Sequence, residues 1–122
     1  MKTHLKHNIP KLVISPSVTQ EQAEASMMLL QNFNQCIMGL AHFSGMTPWE
    51  RHQDDEFLQI LEGKVDVIIL TPEKTITESL QEGECFVVPK DVWHKQSSSE
   101  GVKLMFITSL EGNQTSMEEY PQ

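Results

Sequence analysis

Turn-forming residues punctuate this chain at short, even intervals, and that spacing limits its fold more than any other feature. Asn34 separates two apolar runs, Met27–Leu30 and Cys36–Phe43, and Ser44-Gly45-Met46-Thr47-Pro48 follows as a loop. Gly63, Thr71-Pro72-Glu73-Lys74, Gln81-Glu82-Gly83-Glu84 and Pro89 continue the series. Short β-prone runs with a turn signal roughly every eight to twelve residues predict an all-β sandwich or barrel. Val65, Val67 and Ile69 alternate with Lys64, Asp66 and Ile68, while Thr75–Leu80 is β-rich and half polar. Such runs suit strands with one wet face. Gly63 predicts a tight hairpin over Leu61–Val65, because such a turn needs a positive φ. Val102–Thr108 closes the series. The one helix signal lies near the start, where Ser17 or Thr19 can cap a short turn followed by Gln or Glu.

A length of 122 residues suits one domain with a small core. The expected layout is an N-terminal arm and strand over residues 1–25, a barrel over 26–110 and a weakly ordered acidic tail over 111–122. The net charge of −8, with no basic run, argues against a nucleic-acid surface, since phosphate binding needs clustered Lys and Arg. No apolar stretch is long enough to cross a bilayer, and none near the start reads as a signal-peptide core, so no membrane partner is expected. Cys36 and Cys85 form neither a disulfide framework nor a CxxC motif. Both sit in apolar runs and read as buried reduced thiols, which points to the cytoplasm.

The chemistry concentrates in Glu50-Arg51-His52-Gln53-Asp54-Asp55-Glu56, which runs into Phe57-Leu58-Gln59-Ile60-Leu61 and stops at Glu62-Gly63. On an extended chain Glu50 and His52 point to one face, and Glu56 opens a run in which Leu58 and Ile60 share its face. A carboxylate and an imidazole above an apolar floor can form a small divalent-metal pocket. The competing reading is a solvated acidic cluster at a loop–strand junction. A second stretch answers the first: Gly83-Glu84-Cys85-Phe86-Val87-Val88-Pro89-Lys90-Asp91-Val92-Trp93-His94.

Together the two stretches resemble the paired motifs of the cupin family, G-x5-H-x-H-x3,4-E-x6-G and G-x5-P-x-G-x2-H-x3-N. His52, Glu56 and Gly63 fit the first, and Gly83, Pro89 and His94 fit the second. Glu50 stands where a histidine is usual, Asp91 replaces a glycine and Ser98 the final asparagine, while Gly45 lies one residue too near. The resemblance covers about residues 36–109 and implies an all-β double-stranded β-helix, or jelly-roll barrel. It also implies one divalent transition metal (iron, manganese, nickel or zinc) on His52, Glu56 and His94. Glu50 is expected as a fourth ligand, a partner holding a histidine tautomer, or a catalytic base beside the metal. Such a set leaves positions open for water, oxygen or substrate.

Substrate contacts are expected from Leu58, Phe106 and His42, the last with a core or rim histidine bonded to a backbone carbonyl as its competing reading. Trp49 and Trp93, each one residue before a proposed ligand, are expected to face away from the metal, with a stacking surface for a ligand as the alternative. Arg51 is expected outside, paired with neighbouring acids, with a substrate carboxylate as the alternative partner. Phe57 and Leu61 are apolar on the face opposite Glu56, so a covering layer is required from this chain or a partner. With Trp93 they imply enough apolar surface that a homodimer is expected. The functional expectation is a metalloenzyme, an oxygenase or an isomerase or lyase, acting on a small polar molecule. The alternative is a non-catalytic module that binds a small molecule or a metal.

Overall fold

A computed structural model describes residues 2–122. The strands are β1 (Leu12–Val13), β2 (Met27–Phe33), β3 (Cys36–Met46), β4 (Trp49–Arg51), β5 (Glu56–Leu70), β6 (Thr75–Gln81), β7 (Cys85–Val88), β8 (His94–Ser109) and β9 (Gln114–Ser116). One short helix, α1 (Gln20–Ala25), precedes β2. Its N-terminus is a capping box: the Gln22 backbone N–H donates to the Thr19 hydroxyl, and the Thr19 N–H donates to the Gln22 side chain. The all-β class read from the turn spacing and the jelly-roll architecture implied by the resemblance are both present, as is the helical turn.

The long strand β8 carries the sheet. It pairs antiparallel with β3 on one side and β5 on the other, and β5 in turn takes β6 and β7. The turn between β2 and β3 places Asn34 at φ +55°, a left-handed conformation that Asn tolerates better than most residues.

The expected hairpin at Gly63 is absent; β5 runs through it. Inward-facing core positions on β5 are Leu58 and Ile60 before Gly63 but Val65 and Val67 after it, so the parity changes there. The pairing of β5 with β8 is irregular over the same residues. One extra residue in a ladder produces this change, and the strand bends instead of reversing. Gly63 adopts φ +77°, and a Cβ there would overlap the Gly101 carbonyl. The glycine is needed as foreseen, but for a bulge.

The main core joins Phe43, Leu58, Ile60, Val65, Val67, Leu80, Val88, Val102, Leu104 and Phe106 inside the barrel. A second cluster forms on the opposite face, where Ile9, Leu40 and Met105 pack with Leu5, Met28, Met38, Phe57 and Leu61. The covering layer that Phe57 and Leu61 required is therefore supplied at least partly by this chain's own N-terminal arm. The arm is pinned by His42 Nδ1, which donates to the Ile9 carbonyl at 2.7 Å, and by Lys103 Nζ, which donates to the His7 carbonyl.

Two further expectations change. Cys36 is buried but Cys85 is exposed, because β7 alternates and turns Phe86 and Val88 inward. The residues read as a weakly ordered tail contain β9, which pairs with β4 through Trp49↔Ser116, Glu50↔Thr115 and Arg51↔Gln114. Among the described residues, no helix is long and apolar enough to cross a membrane.

Candidate metal centre

Three elements deliver the site. Strand β4 carries Glu50, and Glu50 pairs directly with His94 at the start of β8. The chain then leaves β4 at His52, turns, and enters β5 at Glu56. The acids of that turn are structural ties. Asp54 accepts from the Ser109 hydroxyl at 2.8 Å and the Gln35 amide at 2.9 Å, and these two bonds, Gln35's first, hold its carboxyl below the usual range. Asp55 accepts from the Lys90 N–H at 2.8 Å, and the Asp91 N–H donates to the His52 carbonyl at 2.8 Å. Asp91 sits at φ +61°, so it adopts the left-handed backbone for which the resembling motif uses glycine. Ser98, in place of the motif's asparagine, donates to the Lys64 carbonyl and accepts from the Gly101 N–H, closing the bulge region.

His52, Glu56 and His94 are buried, whereas the Glu50 side chain is 35% exposed. Among the described residues, Glu50, His52 and His94 each offer a ligand atom within 4.8 Å of the others. Glu56 joins them: its Oε1 is 3.0 Å from His94 Nε2 and 3.8 Å from His52 Nε2. Glu50 Oε2 is 3.4 Å from His52 Nε2.

Both imidazoles are oriented from behind. His94 Nδ1 donates to the Val92 carbonyl at 3.2 Å. Asn113 Nδ2 donates to the Ser109 carbonyl, so its Oδ1 is turned to accept from His52 Nδ1 at 2.7 Å. The proton of neutral His52 is thus on Nδ1, and Nε2 presents a lone pair towards two carboxylates. That nitrogen is buried and has no hydrogen-bond partner. A buried lone pair facing anions calls for a cation between them. Burial alone would lower the His52 pKa, but the Glu50 carboxylate beside Nε2, the Glu56 charge and Asn113 outweigh it and hold the pKa above the ordinary imidazole value.

The donor set of two imidazoles and carboxylates is one that binds first-row metals. Donors about 3.0–3.8 Å apart also match neighbouring ligands at metal–ligand distances of about 2.0–2.2 Å. The cluster fits one divalent transition metal ion.

A cavity of about 810 Å³ opens above the cluster. Glu50 and Glu56 lie at its base, and Ala41, Phe43, Leu104 and Phe106 form walls from inside the barrel. The segments around α1 and β9 complete the rim.

A profile of the cupin domain matches residues 38–108, more than half of the chain. The chain belongs to the cupin family. A cupin-2 domain protein from Shewanella frigidimarina is 32% identical; the match covers 69% of this cupin and 79% of that chain, with a TM-score of 0.57. Protein NMB1881 from Neisseria meningitidis is 28% identical, covering 68% and 81% of the two chains, with a TM-score of 0.59. An oxalate oxidase in complex with the substrate analogue glycolate is 20% identical over 73% of this chain and 53% of its own, with a TM-score of 0.59, a likeness of fold alone. No curated protein matches this cupin in sequence.

Of the residues singled out in the sequence, Glu50, His52, Glu56 and His94 converge on one point. Phe106 is on the cavity wall, with its ring against Gly39, where a Cβ would lie 2.6 Å from Phe106 Cζ. Leu58 is fully buried in the core. His42 holds the N-terminal arm through Ile9, on the opposite face of β3 from Ala41 and Phe43. Trp49 reaches the cavity wall with Lys95 Nζ 4.5 Å from its ring centre. Among the described residues Arg51 makes no acid pair; it lies 4.5 Å over Trp93 and donates to the Gln114 side chain. Sequence reasoning missed Asn113. A lone asparagine near the end of the chain carries no local signal, and only the β4–β9 pairing brings it to His52.

Proposed function

We propose that this cupin is a metal-dependent enzyme, an oxygenase or an isomerase or lyase, whose small-molecule substrate enters the cavity with its polar group directed at Glu50. The observation that carries this reading is the difference in exposure within the cluster. His52 and His94 do not line the cavity, whereas Glu50 and Glu56 do, and Glu50, its side chain 35% exposed against 7% for Glu56, is the one open to a ligand. A bound divalent ion supplies Lewis-acid polarisation or, as iron or manganese, redox chemistry. Glu50 then takes or returns a proton at the substrate's polar group, in the role of general base. His52 and His94, tied at Nδ1 by Asn113 and Val92, hold their Nε2 atoms in place. The apolar walls exclude water from around the reacting group.

The test is elemental analysis of protein purified without a histidine tag, followed by oxygen uptake and product analysis on a panel of diols, phenols and thiols. Metal at one equivalent with turnover lost in Glu50→Gln supports the reading. A protein that stays metal-free in micromolar iron, manganese, nickel and zinc rules it out and leaves a binding module.

We further propose a cytoplasmic homodimer. The two free thiols support a reducing compartment. Leu29 and Phe33 are 64% and 54% exposed on β2, whose outer edge carries no strand among the described residues, and a second copy would cover them. Sedimentation that finds only monomer at tens of micromolar counts against it.

A further inference from the structure

The charges around the cavity restrict what enters it. A small dicarboxylate is ordinarily held by the planar fork of arginine or by a surplus of positive charge. Among the described residues no arginine lines this cavity, and its only cation, Lys95, is over the Trp49 ring. Glu50 and Glu56 form the base, and Glu118 and Glu119 stand at the rim. A divalent ion at the base would be balanced by the two carboxylates beneath it, so the floor offers no net attraction for a dianion. The walls point the same way. Phe43, Phe106, Leu104 and Ala41 pack together in the wall, Met27 pairs with Ala41 beside them, and residues flanking α1 add to the apolar lining. A volume of about 810 Å³ is in the range for a drug-sized molecule and far exceeds a two-carbon acid.

We infer that the substrate is an uncharged molecule with a ring or medium-chain apolar body and a single hydroxyl or carbonyl head, and that small carboxylates are excluded. The body lies along Phe43, Phe106 and Met27, and the head reaches Glu50. The polarity expected of the substrate is thus confined to one end. This inference rests on the cavity being the substrate site, as proposed above, and concerns what the walls select.

The experiment is calorimetric titration of the intact protein at neutral pH with three probes: 2-naphthol, 2-naphthoate and oxalate. The first two share one apolar body and differ in the charge of the head. Metal content is measured on the same samples. The expected result is 2-naphthol binding at least about tenfold tighter than 2-naphthoate, with no binding of oxalate. Met27→Glu, a substitution at a partly exposed wall position away from the metal cluster, should weaken 2-naphthol about tenfold with metal content unchanged. Thermal melting confirms that this variant is folded, and Met27→Leu should restore binding. Equal or tighter binding of 2-naphthoate, or binding of oxalate to the metal-loaded protein, overturns the inference while leaving the metalloenzyme reading intact. Metal-free protein that binds 2-naphthol with the expected preference upholds the inference and removes the metalloenzyme reading.

Discussion

Asn113 accepts a hydrogen bond from His52 Nδ1 at 2.7 Å, across 61 positions of sequence, and so turns the Nε2 lone pair towards Glu50 and Glu56. The amide is itself fixed, because its Nδ2 donates to the Ser109 carbonyl at 2.9 Å. Partners of this kind set the tautomer of a metal-binding histidine. Asn113→Leu should therefore lower metal affinity about 10- to 100-fold with the fold retained. Asn113→Asp, which keeps an acceptor at that point, should recover most of the loss. Competition against a chromophoric chelator measures both.

Removing a ligand should act more strongly than removing its support. His52→Ala and His94→Ala should each abolish metal uptake, since the donors left cannot complete a shell. His94→Ala also leaves Glu56, 5% exposed, without its 3.0 Å partner. Glu50→Ala should weaken binding less, because Glu50 is the most exposed of the four. Mass spectrometric metal analysis of untagged variants decides it, and full occupancy in His94→Ala contradicts the assignment.

The raised His52 pKa makes the metal-free protein sensitive to pH. A pKa held above 6.5 in the folded state contributes stability that is fully present below the unfolded value and is lost as pH rises through the folded one. A metal must displace the same proton, so apparent affinity should fall as pH drops below the folded value. Melting of chelator-treated protein from mild acid to mild base should show the loss, and His52→Gln should lack it. With metal bound, the trend should reverse.

Two glycines separate backbone strain from steric overlap. Gly63 and Gly83 both have positive φ, at +77° and +90°, but only at Gly63 would a Cβ strike backbone. Gly83→Ala should cost about 1–2 kcal/mol, the usual left-handed penalty. Gly63→Ala should cost clearly more, because the β5–β8 ladder must move as well. Urea denaturation of the pair provides the comparison.

Much of this was legible in the chain because it rests on local rules. Turn residues punctuate strands, so the all-β class followed from spacing, and Ser17 or Thr19 followed by Gln or Glu announced the helical turn that Thr19 and Gln22 cap. Even spacing put Glu50 and His52 together, and Glu56 began an apolar run that does enter the core. The resemblance supplied His94.

Other features depended on contacts that no local pattern encodes. Gly63 marks a positive φ in the sequence, but hairpin and bulge both need one, and the choice was made by β8, which pairs with β5 on both sides of it. A solvated cluster was the competing reading of Glu50, Asp54, Asp55 and Glu56; in the fold, Asp54 and Asp55 are acceptors for Ser109 and Lys90, which are distant in sequence. The apolar face of Phe57 and Leu61 demanded a cover, and the arm bearing Leu5 and Ile9 provides one. By itself, the sequence determined most of the strands and turns and the ligand types, because backbone sterics and side-chain chemistry are properties of neighbouring residues. Only the tertiary structure decided which imidazole nitrogen faces the carboxylates and what lines the cavity, because both depend on strand register: β4 against β8 brings Glu50 to His94, and β4 against β9 brings the segment bearing Asn113 to His52.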